Sequence, residues 1–314
     1  MFFGRIMVIL CICDGKYEPV KSESEEFQMN QIKIIADSTC DLTEEQIAKY
    51  DITILPLNIV LDMDSFYDKE EITPEELFQW AQEHHKTPKT AAPGIEKAIQ
   101  VFRPFAEQKM DIIFIGISEA MSTTCNVVRL VKEELEYERI FVIDSGSLSS
   151  GIGLQILKAA RLREQGLSAE AIAEQILQAR EHVRASFVVD TMEYLAMGGR
   201  CSSVKALLAT TLKIHPMIGV NNGRMGVERK YRGNMNKAIR NYAEDLREEL
   251  LQAEPETVFI THSPCDPGMV ASVRAFLEEL NYFQEIVESS AGGVICSHCG
   301  PGTLGVLFYH QSNL

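Results

Sequence analysis

The stretch Met110-Asp111-Ile112-Ile113-Phe114-Ile115-Gly116-Ile117 limits the fold more than any other in this 314-residue chain. A short apolar run of this kind, with no polar alternation, is a strand buried on both faces, as in a parallel sheet covered by helices. It leads through Ser118-Glu119-Ala120-Met121 into a helical pattern that begins near Ser122 or Thr123, so the order is strand, turn, helix. The first backbone N–H groups of a helix have no partner within it and point outward. A hydroxyl-rich loop at that place offers a site for a carboxylate or phosphate. The same Ser122, Thr123 and Thr124 can equally do no more than cap their own helix, and locally both readings stand.

The pattern recurs along the first half. Ile32 to Ala36 reads as a strand, and Asp37-Ser38-Thr39-Cys40-Asp41-Leu42 as the loop at its C-terminal end, where open α/β sheets place ligands. Thr43 with Gln46, and Thr73-Pro74-Glu75-Glu76, are capping boxes that start helices. Ile52 to Leu61 is extended with an interruption at Pro56, and Lys89-Thr90-Ala91-Ala92-Pro93-Gly94 is a loop before a helix to about Gln108. A strand at Arg139 to Ile143 ends in the hydroxyl-rich loop Asp144 to Gly153, which opens a helix to about Glu164. The Gly151-Ile152-Gly153 spacing is by itself a weak nucleotide signal, because the same glycines serve simply to turn the chain tightly. Alternating strands and helices predict a parallel sheet.

After Ser186 the pattern changes. Strands are expected at Ser186 to Asp190, His215 to Val220, Met225 to Tyr231, Thr257 to His262, Glu285 to Ser289 and Gly293 to Ser297. Helices are expected at Met192 to Met197, Val204 to Leu212, Met235 to Leu251 and Met269 to Leu280, and Thr303 to Tyr309 is helical or extended. Asn221-Asn222-Gly223-Arg224 is a hairpin turn, which implies antiparallel pairing. The expected fold is therefore α/β, an N-terminal parallel α/β sheet domain over 30–183 followed by a C-terminal α+β domain over 184–314. Residues 1–29, an apolar patch followed by Lys21-Ser22-Glu23-Ser24-Glu25-Glu26 without periodicity, are read as a disordered leader or a start-site artefact.

A formal net charge of −15 with no dense basic cluster excludes nucleic acid as a partner. No run approaches the roughly 20 apolar residues of a membrane span. The eight cysteines lack the density of a disulfide scaffold and indicate reduced thiols, so the expected compartment is the cytoplasm, with a weak signal peptide at Met7 to Cys13 as the alternative. Cys296-Ser297-His298-Cys299 has metal-like spacing but no second pair to complete four ligands, so no metal is expected. At a strand end, the pair also lacks the helix N-terminus that activates a redox thiol. Ser122, Asp144 and His298 make a conceivable nucleophile, acid and base for a small-molecule hydrolase or phosphotransferase. No Gly-x-Ser-x-Gly elbow accompanies them.

Read together, Asp37 to Leu42, Pro56-Leu57 with Tyr67-Asp68, Thr90 to Pro93, Ile117 to Asn126, Val142 to Ser145, Gly198-Gly199-Arg200, Lys213 to Pro216 and His298 to Gly302 resemble the DegV family of bacterial proteins. That family includes the fatty-acid-binding subunits of fatty acid kinase. Each motif alone is weak, but their order and spacing are specific and cover about Ile32 to Phe308. The resemblance implies a two-domain, non-catalytic protein that holds one long-chain fatty acid between its domains. It needs no cofactor and presents the carboxylate to a separate kinase, with transient contact with a membrane surface. Carried over by position, Thr90 and Ser122 would hold the carboxylate, with His298 and Arg200 behind them.

Hydroxyls bond either protonation state of such a head group, whereas a buried ionised carboxylate is costly without a nearby cation. The tail would supply the affinity: roughly 15 methylenes at about 0.8 kcal/mol each give about 12 kcal/mol before ordering costs. The chain carries no Walker loop of its own. It departs from the family at Ala91-Ala92, where Ser-Gln is usual, at Thr123 in place of Gly, and at Cys125 in place of an aromatic. The first change removes polar partners, and the second is expected to add bulk near the head group.

Overall fold

The computed structural model describes residues 31–205, 207 and 214–311. The expected leader lies outside them, as does most of the expected helix at Val204 to Leu212.

The first half is built as β1 (Ile32–Asp37), α1 (Glu44–Lys49), β2 (Ile52–Leu55), β3 (Asn58–Leu61), β4 (Asp64–Tyr67), α2 (Pro74–His84), β5 (Lys89–Ala91), α3 (Ile95–Glu107), β6 (Asp111–Gly116), α4 (Thr124–Glu134), β7 (Ile140–Asp144), α5 (Ser150–Glu164) and α6 (Ala169–Ala179). Strands β2-β1-β6-β7 form a parallel sheet. Alternate residues serve its two faces. Ile35, Ile112 and Phe114 join Phe102 of α3 and Val128 of α4 in one cluster, whereas Ile34, Ala36, Ile113 and Ile115 face α5 and α6. Both expected capping boxes are present, at Thr43/Gln46 and Thr73/Glu76.

Two departures from the expected alternation matter for the site. Pro56 separates β2 from β3, and β3 leaves the parallel sheet to form an antiparallel one in the order β4-β3-β5. Thr90 therefore lies in a short strand rather than a loop, paired with Ile59.

The second half follows as β8 (Val183–Val188), α7 (Glu193–Gly198), α8 (Ser202–Lys205), β9 (Ile214–Asn221), β10 (Arg224–Arg232), α9 (Met235–Asp245), α10 (Arg247–Leu250), β11 (Ala253–His262), α11 (Pro267–Leu280), β12 (Glu285–Ser290), α12 (Gly293–Cys299) and β13 (Leu304–His310). The sheet order is β10-β9-β8-β13-β11-β12, antiparallel except for β11 with β12, which α11 connects. Asn222 and Gly223 both have positive φ, as a two-residue hairpin turn requires. The helix expected from Met235 to Leu251 is divided at Leu246.

A further expectation fails. Gly293 to Ser297 is not a strand; it is the start of α12. Five apolar or small residues do not reveal a period, and the conformation is set by side chains far away in sequence.

Helix α5 lies between the two large sheets, and residues of β1, β6, β8 and β13 share its cluster. That explains why nearly the whole helix is buried. A Cβ on Gly153 would lie 2.9 Å from the Cys40 carbonyl oxygen, and one on Gly151 would lie 2.2 Å from Ser147 Oγ. These glycines serve close packing.

Candidate functional site

A cleft opens where β5, the β6–α4 loop, the turn after α7 and helix α12 meet. Its unfilled volume, including the part open to solvent, is ≈ 500 Å³. Thr90, Ser122, Arg200 and His298 all line it, together with Leu57, Ile117, Met121, Leu148, Met225, Val294, Ile295 and Cys299. The four polar residues named from the family pattern thus come from four separate elements into one cavity whose other walls are apolar.

Thr90 Oγ1 and His298 Nε2 are 2.8 Å apart and hydrogen-bonded, across 208 residues of sequence. Burial, helped by the Arg200 charge, holds the His298 pKa down at about 4, so the ring is neutral at pH 7. Its Nδ1 is buried without a partner. The reason lies in the Gly198-Gly199-Arg200 turn: a Cβ on Gly198 would stand 2.4 Å from that nitrogen, and Gly199 takes the left-handed conformation at φ 72 that ends α7. Arg200 then turns back, donating from Nη1 to the Gly198 carbonyl at 2.7 Å and from Nε to the Met121 carbonyl at 3.4 Å. It forms no salt bridge with a carboxylate of the described residues.

Ser122 Oγ shares a 2.8 Å hydrogen bond with Thr124 Oγ1 and accepts from the Thr124 N–H at 3.3 Å. Ser122 thus faces the cavity and also bonds the first residue of α4 from the position before the N-cap Thr123, which makes no side-chain capping bond itself. The loop that carries it is fixed from two sides. Asp37 Oδ2 accepts from the Ile117 N–H at 2.7 Å, and Ser118 Oγ donates to the Gly223 carbonyl of the β9–β10 turn at 2.8 Å. Asp37 is fully buried, and burial pushes its pKa up to about 6 against the pull of hydrogen bonds from Thr39 and Ile117.

Of the family departures, Ala91 and Ala92 line the cavity. Thr123 is exposed and is not among its walls, so it does not crowd the head-group region as expected. Cys125 packs behind the sheet with Phe102 and Phe114, away from the cavity.

The alternative catalytic set is not assembled. His298 is hydrogen-bonded to Thr90, while Asp144 accepts from the backbone N–H groups of Glu119 and Gly146 and stays out of the cavity. Cys296 and Cys299 sit within α12 rather than at a strand end, and burial pushes both thiols up, Cys299 to about 12. Among the described residues no group of three His, Cys, Asp or Glu is placed to hold a metal ion.

A second hollow, with ≈ 350 Å³ of unfilled space including the part open to solvent, adjoins the first, with Leu148, Ile295 and Cys299 as the common wall. Phe187, Leu307 and Ala291 continue its lining. Ser149, Thr261, His262, Ser263 and Thr303 add polar atoms to that lining, and the space is two hollows in series rather than one open channel.

Family reasoning missed a cluster beneath α12. Asp41 Oδ1 accepts from the Gly292 N–H at 2.8 Å and from Lys69 Nζ at 3.1 Å, and its Oδ2 accepts from Ser149 Oγ at 2.6 Å. Asp68 Oδ1 accepts from the Gly293 N–H at 2.8 Å, and its Oδ2 from Ser38 Oγ at 2.7 Å. Burial pushes the Asp68 pKa up to about 6. In the sequence Asp41 and Asp68 fall within Asp37 to Leu42 and Tyr67-Asp68, two of the stretches that resemble the family.

Comparison with known proteins places this geometry. The family model described as uncharacterised protein, DegV family, matches residues 31–311. A DegV domain-containing protein of Clostridium perfringens is 34% identical over 90% of this chain and 100% of its own length. A solved structure described as a fatty-acid-binding DegV family protein from Thermus thermophilus is 29% identical, with TM-score 0.81 over 90% of this chain and 100% of that one. A stearic-acid-binding protein from Eubacterium ventriosum is 27% identical, with TM-score 0.74 over 89% and 98%.

Proposed function

The chain belongs to the DegV family, and from that premise we propose that it binds one long-chain fatty acid, carboxyl group toward Thr90 and Ser122, with His298 and Arg200 completing the head-group end. The observation that carries this reading is the convergence of those four residues on one otherwise apolar cavity. Neutral His298 can donate or accept, the two hydroxyls can do either, and Arg200 supplies the one cation among the cavity's walls. The acyl tail passes the wall formed by Leu148, Ile295 and Cys299 into the second hollow, parting those side chains. A division of the chain into domains 30–183 and 184–314 puts the ligand at their boundary.

The head-group end is the solvent side, since Ala91 and Arg200 are exposed while Phe187 and Leu307 of the second hollow are buried. A carboxylate held there is within reach of a second protein. That supports presentation to a separate cytoplasmic fatty acid kinase, with the binding chain itself non-catalytic and free of cofactor. No helix of the described residues is long and apolar enough to cross a membrane, and ligand exchange by brief contact with a membrane surface fits this arrangement.

Lipid extraction of protein purified without detergent, followed by mass spectrometry, tests the proposal. One fatty acid per chain is expected. Recovery of none, together with no uptake of added palmitate, would overturn it.

A further inference from the structure

The acidic cluster under α12 has no role in the reading above. Asp41 and Asp68 are fully buried, yet a helix N-terminus needs no charge to be capped, and a serine or threonine would serve. Two buried carboxylates are a costly choice. They take the N–H groups of Gly292 and Gly293, two consecutive donors at the start of the helix that carries His298. We propose that Asp41 and Asp68, held by Lys69, Ser38 and Ser149, are positioning residues that fix α12 so that His298 meets Thr90 in the geometry the ligand's carboxyl group requires. The inference rests on the fatty-acid reading for its ligand, but not for its geometry.

The helix runs only from Gly293 to Cys299, too short to hold its own shape or place. Gly293 and His298 are five residues apart, about 7.5 Å along the axis at the usual rise, so a shift of the first turn passes directly to the imidazole. The clamp leaves little slack. A Cβ on Gly292 would lie 2.5 Å from Lys69 Cε, and one on Gly293 would lie 2.5 Å from Ile59 Cδ1 and 3.1 Å from Asp68 Oδ1. The same side chains hold two other cavity walls. Ser38 Oγ, which donates to Asp68, accepts from the Leu57 N–H at 3.2 Å, and Ser149, which donates to Asp41, follows Leu148 in the chain.

The test compares Asp68→Ala with Asp68→Asn, which keeps an acceptor for the Gly293 N–H. Two quantities are read: affinity for palmitic acid against hexadecanol, and the ¹⁵N signals of the His298 ring. Asp68→Ala is expected to lower acid affinity about tenfold, the worth of one well-placed hydrogen bond, to leave the alcohol nearly unaffected, and to move the Nε2 signal. Asp68→Asn is expected to restore most of the loss. Equal loss of acid and alcohol, or an unmoved ring signal, overturns the positioning role. Should Asp68→Ala not fold, Ser38→Ala decides: a smaller change of the same kind is expected, and no change refutes the proposal. If the wild-type protein binds neither acid nor alcohol, the fatty-acid reading fails, while the ring signals still decide whether the carboxylates place His298.

Discussion

The head-group end of the cavity and the acidic clamp beneath it share helix α12, yet they are built on opposite rules. In the clamp every carboxylate oxygen of Asp41 and Asp68 has a donor. At the cavity bonding capacity is left over: Arg200 bonds only backbone carbonyls and forms no salt bridge with a carboxylate of the described residues, and the Thr90 and Ser122 hydroxyls are bonded to His298 and Thr124 with a lone pair to spare, whereas the unpaired His298 Nδ1 lies against Gly198. Buried polar groups are ordinarily satisfied. A saturated cluster holds structure in place, and an unsaturated one facing a cavity is where a ligand completes the bonding.

The largest test of that contrast is stability. Asp41→Ala leaves the Gly292 N–H, the Ser149 hydroxyl and the Lys69 ammonium without their acceptor. It is expected to cost about 3–5 kcal/mol in chemical denaturation, against less than ~1 kcal/mol for Ser122→Ala at the rim. Comparable losses at both positions would erase the distinction.

Next in size is a pH dependence. The His298 pKa is lowered from 6.5 to about 4 by burial and the Arg200 charge, so its contribution is present above pH 6.5 and is lost as the unfolded chain takes up the proton on the way down. Asp37 and Asp68, raised by burial from 3.8 to about 6, act in the other sense: their contribution is present below about pH 4 and is lost as pH rises through 6. Both carboxyls are common to wild type and His298→Gln, so the difference between the two proteins isolates the histidine. Going from pH 7.5 to 5, wild type is expected to lose about 2 kcal/mol relative to the variant. A difference that stays constant with pH would show that the ring ionises freely in the folded protein.

The smallest effect is expected at the thiols. Cys296 and Cys299 are buried within α12 with their ionisation pushed up, whereas Cys265 is only partly buried. Peptide mapping after brief alkylation at pH 8 should find Cys265 modified ahead of the other two. Early modification of Cys299 would mean that the wall between the hollows opens to solvent without ligand.

Local chemistry made most of the first half legible. Capping boxes announced α1 and α2, the apolar run announced β6, and Asn222-Gly223 announced the β9–β10 hairpin. What remained hidden depends on distant partners. Helix α12 reads as a strand because Gly292-Gly293 followed by Val294 and Ile295 has no helical signal, and its N-terminal donors are taken by residues 41 and 68. Strand β5 is three residues long and is defined by pairing with β3 thirty residues earlier. The site itself shows the same limit. No local pattern links Thr90 to His298; the family motifs include both, and they include Asp41 and Asp68 without a function because the partners of these two are backbone N–H groups and hydroxyls elsewhere in the chain, while Lys69 lies outside the motifs.

The most direct test of the central claim is palmitate affinity in Thr90→Val combined with Ser122→Ala, measured with the unfolding midpoint of the same samples. The expected result is a loss of about 2–3 kcal/mol in binding, from two head-group hydrogen bonds, with folding stability nearly unchanged. Wild-type affinity in the double variant would contradict the account, because the carboxyl group would then be held somewhere else.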